Sequence, residues 1–247
     1  MKATDEVKNN QSTAERLKKL QSDVNFAVKD FFKNFFVTDG KERISGYELF
    51  WIFMICNVLG YCVEMVYGYV TNGYWESRQS LVIGPFGLAY GIGGVLMTVM
   101  LYKDNDKKWY QIFFKTFIIG TVAEYIMSLG SEIVFGSVAW DYTALPLDID
   151  GRVCLLYSGY WGILGLVWLK FIYPLLLKVI HSISIKPGKV LFWIAFVFIV
   201  SDMVLSCAAV FRYEERKEAL PPANHAEEVL DEYFDDAYIK RVYANWS

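Results

Sequence analysis

Five long runs of apolar residues constrain this chain more than any other feature. They cover residues 47–71, 84–102, 110–136, 153–177 and 189–211, each roughly 19 to 27 residues long. An α-helix rises about 1.5 Å per residue, so each run can cross a hydrocarbon core of about 30 Å with some tilt. The connections between the runs are short, which predicts antiparallel neighbours in one bundle. The expected fold is therefore all-α: a polytopic membrane helix bundle of about five transmembrane helices.

Composition agrees with this and closes other classes. A hydrophobic share of 55% and an aromatic share of 17% exceed those of ordinary soluble domains. A net charge of −3 supplies no basic face, so a nucleic-acid partner is not expected. Cys56, Cys62, Cys154 and Cys207 lie in or beside apolar runs without paired spacing. They read as small packing residues rather than a disulfide framework or zinc site. No metal set is assigned and no cofactor is expected.

The flanks differ from the bundle, giving three expected regions: 1–46, 47–211 and 212–247. Residues 1–22 are polar with little periodicity and read as a mobile tail. Val24, Ala27, Val28, Phe31, Phe32, Phe35 and Phe36 then recur at helical spacing, opposite Lys29, Asp30, Lys33 and Asn34. This predicts an N-terminal interfacial helix, with packing beneath the bundle as the alternative. At the other end, Val229, Leu230, Tyr233, Phe234 and Ala237 interleave with Glu227, Glu228, Asp231, Glu232, Asp235 and Asp236. That is an acidic C-terminal amphipathic helix, either docked by its apolar stripe or solvated.

Lysine and arginine set the orientation. With the N-terminus cytoplasmic, Lys103, Lys107, Lys108, Lys178, Lys186 and Lys189 fall inside, whereas Arg78 and Arg152 fall outside. Arg212, Arg216 and Lys217 weaken the bias at the end of the fifth run.

Acids within apolar runs carry the functional reading. Burying one costs about 2.5–3.5 kcal/mol on insertion scales, so it normally faces the bundle interior. Glu64, Glu124 and Asp202 occur in runs one, three and five, and Glu132 lies nearer the outer end of run three. Asn57, Gly60, Glu64 and Gly68 share one helical face, as do Glu124, Ser128 and Glu132; Asp202 and Ser206 are one turn apart. These stripes predict an outward-facing, acid-lined cavity formed by Asn57, Glu64, Glu124, Glu132 and Asp202, with Arg152 at its rim. Interhelical hydrogen bonds that merely hold the bundle together would use the same stripes. Trp140, Asp141 and Tyr142 open an outer loop, and Gly84, Pro85, Gly87 and Gly91 suit close backbone packing.

Several stretches together resemble the bacterial family of putative ABC-transporter type IV, or CmpB-like, membrane proteins. They are Gly60-Tyr61 with Glu64, Trp75 with Arg78, the run from Gly84-Pro85 to Tyr90-Gly91, and Glu124-Tyr125. Trp140-Asp141-Tyr142, Gly151-Arg152 through Trp161-Gly162, and Asp202 with Ser206 complete the set. Tyr61 stands where the family pattern has Trp, and Leu88 where it has a second Pro. The resemblance implies a permease-type protein of the bacterial inner (plasma) membrane, with the lipid bilayer and a separate ATPase or other membrane protein as partners. Both inner connections are short, without the long coupling loop that an ABC importer presents to its ATPase.

Enzymatic activity is not expected. His181 and His225 are the only histidines and lie far from the acids in sequence, and no G-x-x-x-x-G-K-[ST] loop occurs. The expected function is a transporter or permease component. The alternative is a non-transporting membrane scaffold or sensor.

Overall fold

A computed structural model of the chain describes residues 43–135, 138 and 140–244, together with 19, 21, 22, 24–26 and 34–36. Most of the expected polar tail and much of the expected interfacial helix at 24–37 lie outside the described residues. The chain forms two compact units, Met1–Glu48 and Leu49–Ser247. In the first, Ser45 and Glu48 make a reciprocal cap at the start of a helix. The Ser45 N–H donates to Glu48 Oε2 at 2.8 Å and the Glu48 N–H donates to Ser45 Oγ at 3.1 Å.

The described helices are α1 (Gly46–Asn72), α2 (Leu88–Leu101), α3 (Trp109–Phe135), α4 (Leu155–Ser182), α5 (Ile185–Lys217), α6 (His225–Tyr233) and α7 (Asp236–Val242). Four of them, α1, α3, α4 and α5, are long and apolar enough to cross a membrane. Within α4, residues Trp168–Ile172 take a π-helical turn just before Pro174. Such a turn accommodates the missing proline N–H without ending the helix.

The second apolar run behaves differently from the expected span at 84–102. Only Leu88–Leu101 is helical, 14 residues and about 21 Å long. Gly84 has a φ of +82°, outside the helical region, and Pro85 has no N–H to offer a helix. Residues 80–86 instead fold into a turn, with the Ser80 N–H donating to Phe86 O at 2.8 Å. Leu81, Val82 and Phe86 are buried there.

A partly buried non-helical segment must find partners for its backbone, and here they come from distant elements. Val82 N–H donates to Ser206 Oγ at 2.8 Å, and Ile83 N–H to Asp202 Oδ1 at 3.1 Å, both on α5. Gln79 Nε2 reaches Gly84 O at 2.6 Å, and Gly87 N–H donates to Asn57 O of α1 at 3.0 Å. From the C-terminal region, the Tyr238 hydroxyl donates to Val82 O at 2.8 Å and the Tyr243 hydroxyl to Ser80 O at 3.5 Å.

The acidic C-terminal stretch is two short helices rather than one. Asn224 caps α6, and Asp235 accepts from the Tyr238 N–H at 2.7 Å to cap α7. Leu230, Phe234 and Tyr238 pack on a core of Val82, Ala209, Val210, Ile239, Val242 and Tyr243, so the apolar stripe is docked on the bundle. The acidic face meets the end of α5. Arg212 holds Asp231 bidentately at 2.9 Å for each bond, and Arg216 contacts Asp231 and Asp236 at 2.6 Å. Arg212, Arg216 and Lys217, which blurred the orientation signal, are thus all ion-paired, Lys217 with Glu214.

At the opposite end, Asp104 in the α2–α3 connection pairs with Lys115 at 2.6 Å and Lys107 at 3.1 Å. Burial pushes its carboxyl up, but the two ammonium groups outweigh that and hold it below the usual aspartate range. Lys170 reaches back to Asn105 O at 2.9 Å. A hairpin of two-residue strands, β1 (Asp148–Ile149) paired with β2 (Val153–Cys154), is the strand structure among the described residues.

Two outcomes follow. Ser206→Ala leaves the Val82 N–H buried without an acceptor, a cost of about 1–3 kcal/mol. The thermal midpoint in detergent should fall by about 2–10 °C, against no measurable change for exposed Ser182→Ala; indistinguishable midpoints would remove the Ser206 contact. The second concerns pH. Hydrogen bonds from Arg212, ahead of burial and of those from Arg216, leave the Asp231 carboxyl below its usual value. The resulting stabilisation of the docked tail is complete above the unfolded pKa of about 3.9 and lost as pH falls through the lower folded value. A solvent-sensitive dye on Glu232→Cys should report undocking only in strong acid, and already at neutral pH in Asp231→Asn.

Candidate functional site

The buried turn at 80–86 and the loop between α3 and α4 lie at the same end of the bundle and frame a cleft of about 980 Å³. One wall is α1, with Val63, Glu64 and Tyr67; the facing wall is α4, with Leu156, Tyr157 and Tyr160. Arg78, Gln79, Ser80 and Leu81 form the floor with Gly87–Tyr90, and Trp140 and Tyr142 close one side. Met203, Ser206, Cys207 and Val210 of α5, with Tyr243 from the tail, close the other.

Two charged side chains line it. Glu64 accepts a short hydrogen bond from the Tyr90 hydroxyl. That ring crosses the face of α1 at Gly60, where an added Cβ would fall 2.1 Å from Tyr90 Cγ. Any side chain at Gly60 would therefore push Tyr90 off Glu64. One turn along α1, the Arg78 guanidinium lies over Gly68, with Nε 3.4 Å from where a Cβ would sit. Arg78 Nη2 donates to Glu76 at 3.0 Å, while its Nε–H is buried without a partner.

The α3–α4 loop is organised by its hairpin. Tyr142 N–H donates to Gly151 O at 2.7 Å, and Trp140 Nε1 to Arg152 O at 2.9 Å. Asp141 accepts from Thr143 N–H at 2.9 Å and from its hydroxyl at 3.1 Å, so it serves the turn. Tyr142 stacks on Tyr157, with ring centroids 4.5 Å apart, and its hydroxyl donates to Glu124 Oε1 at 2.9 Å. Burial, then the adjacent Glu124 carboxylate, pushes the Tyr142 hydroxyl far above the usual phenol range, which keeps it a donor. Trp161 Nε1 satisfies Glu124 Oε2 at 2.9 Å.

The acids named from sequence thus fall into separate settings. Glu64 lines the cleft. Glu124 sits behind it, held by Tyr142 and Trp161. Glu132 pairs with Arg152, whose Nη1 also donates to Ser128 Oγ at 3.1 Å. Asp202 is engaged with the turn at 82–83, with one carboxylate oxygen buried and unpartnered. Asn57 lies under α2: its Nδ2 donates to Phe53 O at 2.9 Å and would be 2.3 Å from a Cβ at Gly91. Gly84 and Pro85 shape the turn, and Gly87 lies at the edge of the cleft.

A family model described as Putative ABC-transporter type IV matches residues 51–207. The chain belongs to this family. No curated protein and no solved structure matches it. The family segment includes both charged residues of the cleft and runs through Cys207, whereas Val210 and the tail with Tyr243 lie beyond it. As a member of the ABC-transporter type IV family with four long apolar helices, the chain is a multi-pass membrane protein of a transport-related group.

Arg78, Tyr67, Tyr90, Tyr157, Tyr160 and Tyr243 line the cleft but were not among the site residues expected from sequence. For Tyr67, Tyr157 and Tyr160 the signal would have been aromatic residues gathered near the ends of runs. That pattern also marks ordinary interfacial anchoring.

Arg152 and Glu132 should be energetically coupled and Arg152 and Glu124 not. A double-mutant cycle with Arg152→Gln, Glu132→Gln and Glu124→Gln, read as stability in detergent, checks this. Additivity of Arg152 with Glu132 would leave the arginine a headgroup anchor.

Proposed function

We propose that the chain is a transport component that holds its solute in the cleft between α1 and α4. Glu64 and Arg78 are the groups that meet charge on that solute. The observation carrying this reading is that both charged side chains face one large cleft otherwise walled by aromatic and aliphatic residues. Ligand sites commonly have this make-up: a mostly apolar wall with a few convergent polar groups. The role is binding and passage, without a bond-breaking step.

In our reading the N-terminus is cytoplasmic, the membrane is the plasma membrane, and the cleft opens outward. Lysine enrichment at the α2–α3 and α4–α5 connections supports this. So does the pairing of Arg212, Arg216 and Lys217 with acidic partners, which leaves little free positive charge at the cleft end of α5. A separate ATPase would have to engage the short connections at the other end. The docked tail counts against a scaffold that presents its acidic helix to partners.

Purified protein in nanodiscs should be stabilised by one of three solute classes: amines, organic acids or zwitterions. At 100 times Kd the gain is about 2.7 kcal/mol, and it should be lost in Glu64→Gln or Arg78→Gln. The stabilising class should also exchange across proteoliposome membranes. Stabilisation without exchange would sink the transport reading while leaving the binding site. For topology, Ala144→Cys should react with an impermeant maleimide on intact cells and Asp106→Cys should not; the reverse pattern inverts the orientation.

A further inference from the structure

We infer that the cleft takes a phospholipid with a zwitterionic ethanolamine headgroup, entering sideways between α1 and α4. This rests on the cleft being the solute site and names its ligand class. Three observations lead there.

The first is charge. Glu64 would oppose a simple anion and Arg78 a simple cation, and both line one cleft. Among the described residues no cluster of three His, Cys, Asp or Glu could hold a metal ion. The pair is matched by one molecule carrying an ammonium and an acidic group. Glu64 takes the ammonium, flanked by the tyrosine rings that favour a cation. Arg78, with its Nε–H unpartnered and a single bond to Glu76, takes the acid. A phosphate suits its forked donors.

The second is spacing. Arg78 lies over Gly68, one helical turn or about 5.4 Å beyond Glu64 on the same face of α1. Glu64 bonds Tyr90 and Arg78 bonds Glu76 rather than each other, which leaves both charges for one ligand carrying an amine and a phosphate.

The third is the mouth. Val63 and Tyr67 on α1 and Leu156 and Tyr160 on α4 are each at least half exposed and flank the gap between these helices. Both helices are long enough to span the membrane, so that gap faces acyl chains rather than water. Polar groups converge inside and apolar ones line the exit. This is the polarity of a lipid lying with its headgroup in the cleft and its chains in the bilayer.

Protein reconstituted in equimolar phosphatidylethanolamine and phosphatidylglycerol and then released for native mass spectrometry should retain the ethanolamine lipid about tenfold over the glycerol lipid. Glu64→Gln and Arg78→Gln should each abolish that preference, and Glu132→Gln, outside the cleft, should keep it. Leu156→Trp, which narrows the mouth without touching a charge, should lower retention of both lipids in a protein of unchanged melting temperature. Equal retention of the two lipids by the wild type, or a preference that survives both charge substitutions, overturns the assignment. Titration with water-soluble glycerophosphoethanolamine and with phenylalanine separates lipid from free zwitterion. Binding of either as tight as the lipid overturns the lipid identity and leaves the solute reading standing. Acyl-labelled phosphatidylethanolamine in dithionite-quenched proteoliposomes tests movement. Selective retention without transfer between leaflets overturns the transport reading and leaves the lipid site.

Discussion

The structure depends on satisfying the backbone of a buried segment that is not helical. Residues 80–86 enter the bundle as a turn, and an unpaired amide or carbonyl there would cost several times a typical net hydrogen bond. Ser206 and Asp202 supply acceptors for two N–H groups, while Tyr238 and Tyr243 supply donors for two carbonyls. α5 and the α7 end of the tail are thereby fixed around one turn. Ser80 and Leu81 of that turn line the cleft beside Arg78, so holding the turn also holds the floor.

This also explains where the intramembrane acids went. A carboxylate within an apolar run must find hydrogen-bond partners, and the sequence does not say whether they are ligand, side chain or backbone. Glu124 found Tyr142 and Trp161, Glu132 found Arg152, and Asp202 found a backbone amide. Glu64 found a tyrosine at the cleft wall. The interhelical role that competed with the cavity in the sequence thus accounts for the geometry of most of them.

The all-α membrane character was legible because apolar run length is a direct physical requirement of the bilayer. Arg152, expected at the rim of an acid-lined cavity, pairs instead with Glu132 and Ser128. The shortened α2 was less legible. The apolar run begins at Gly84, but Gly84 at positive φ and Pro85 without an N–H favour a turn there, and in sequence a Gly-Pro pair suits close packing and a turn alike. The cleft was hidden for a different reason. Tyr90 meets Glu64 through a contact between residues 26 apart, made possible by the missing side chain of Gly60, and no periodicity along one helix contains that information.

The tail tyrosines place a constraint on the order in which the protein can be made. The carbonyls of Val82 and Ser80 receive donors that lie 156 and 163 residues later in the chain. At typical synthesis rates of about 5–20 residues per second, the interval is roughly 8–30 s. Throughout it the turn at 80–86 lacks these donors, although α1 is already made. During biogenesis this segment must therefore wait in water, at the lipid interface or under the protection of insertion machinery. Tyr238 and Tyr243 act as the closing step of an element begun just after α1.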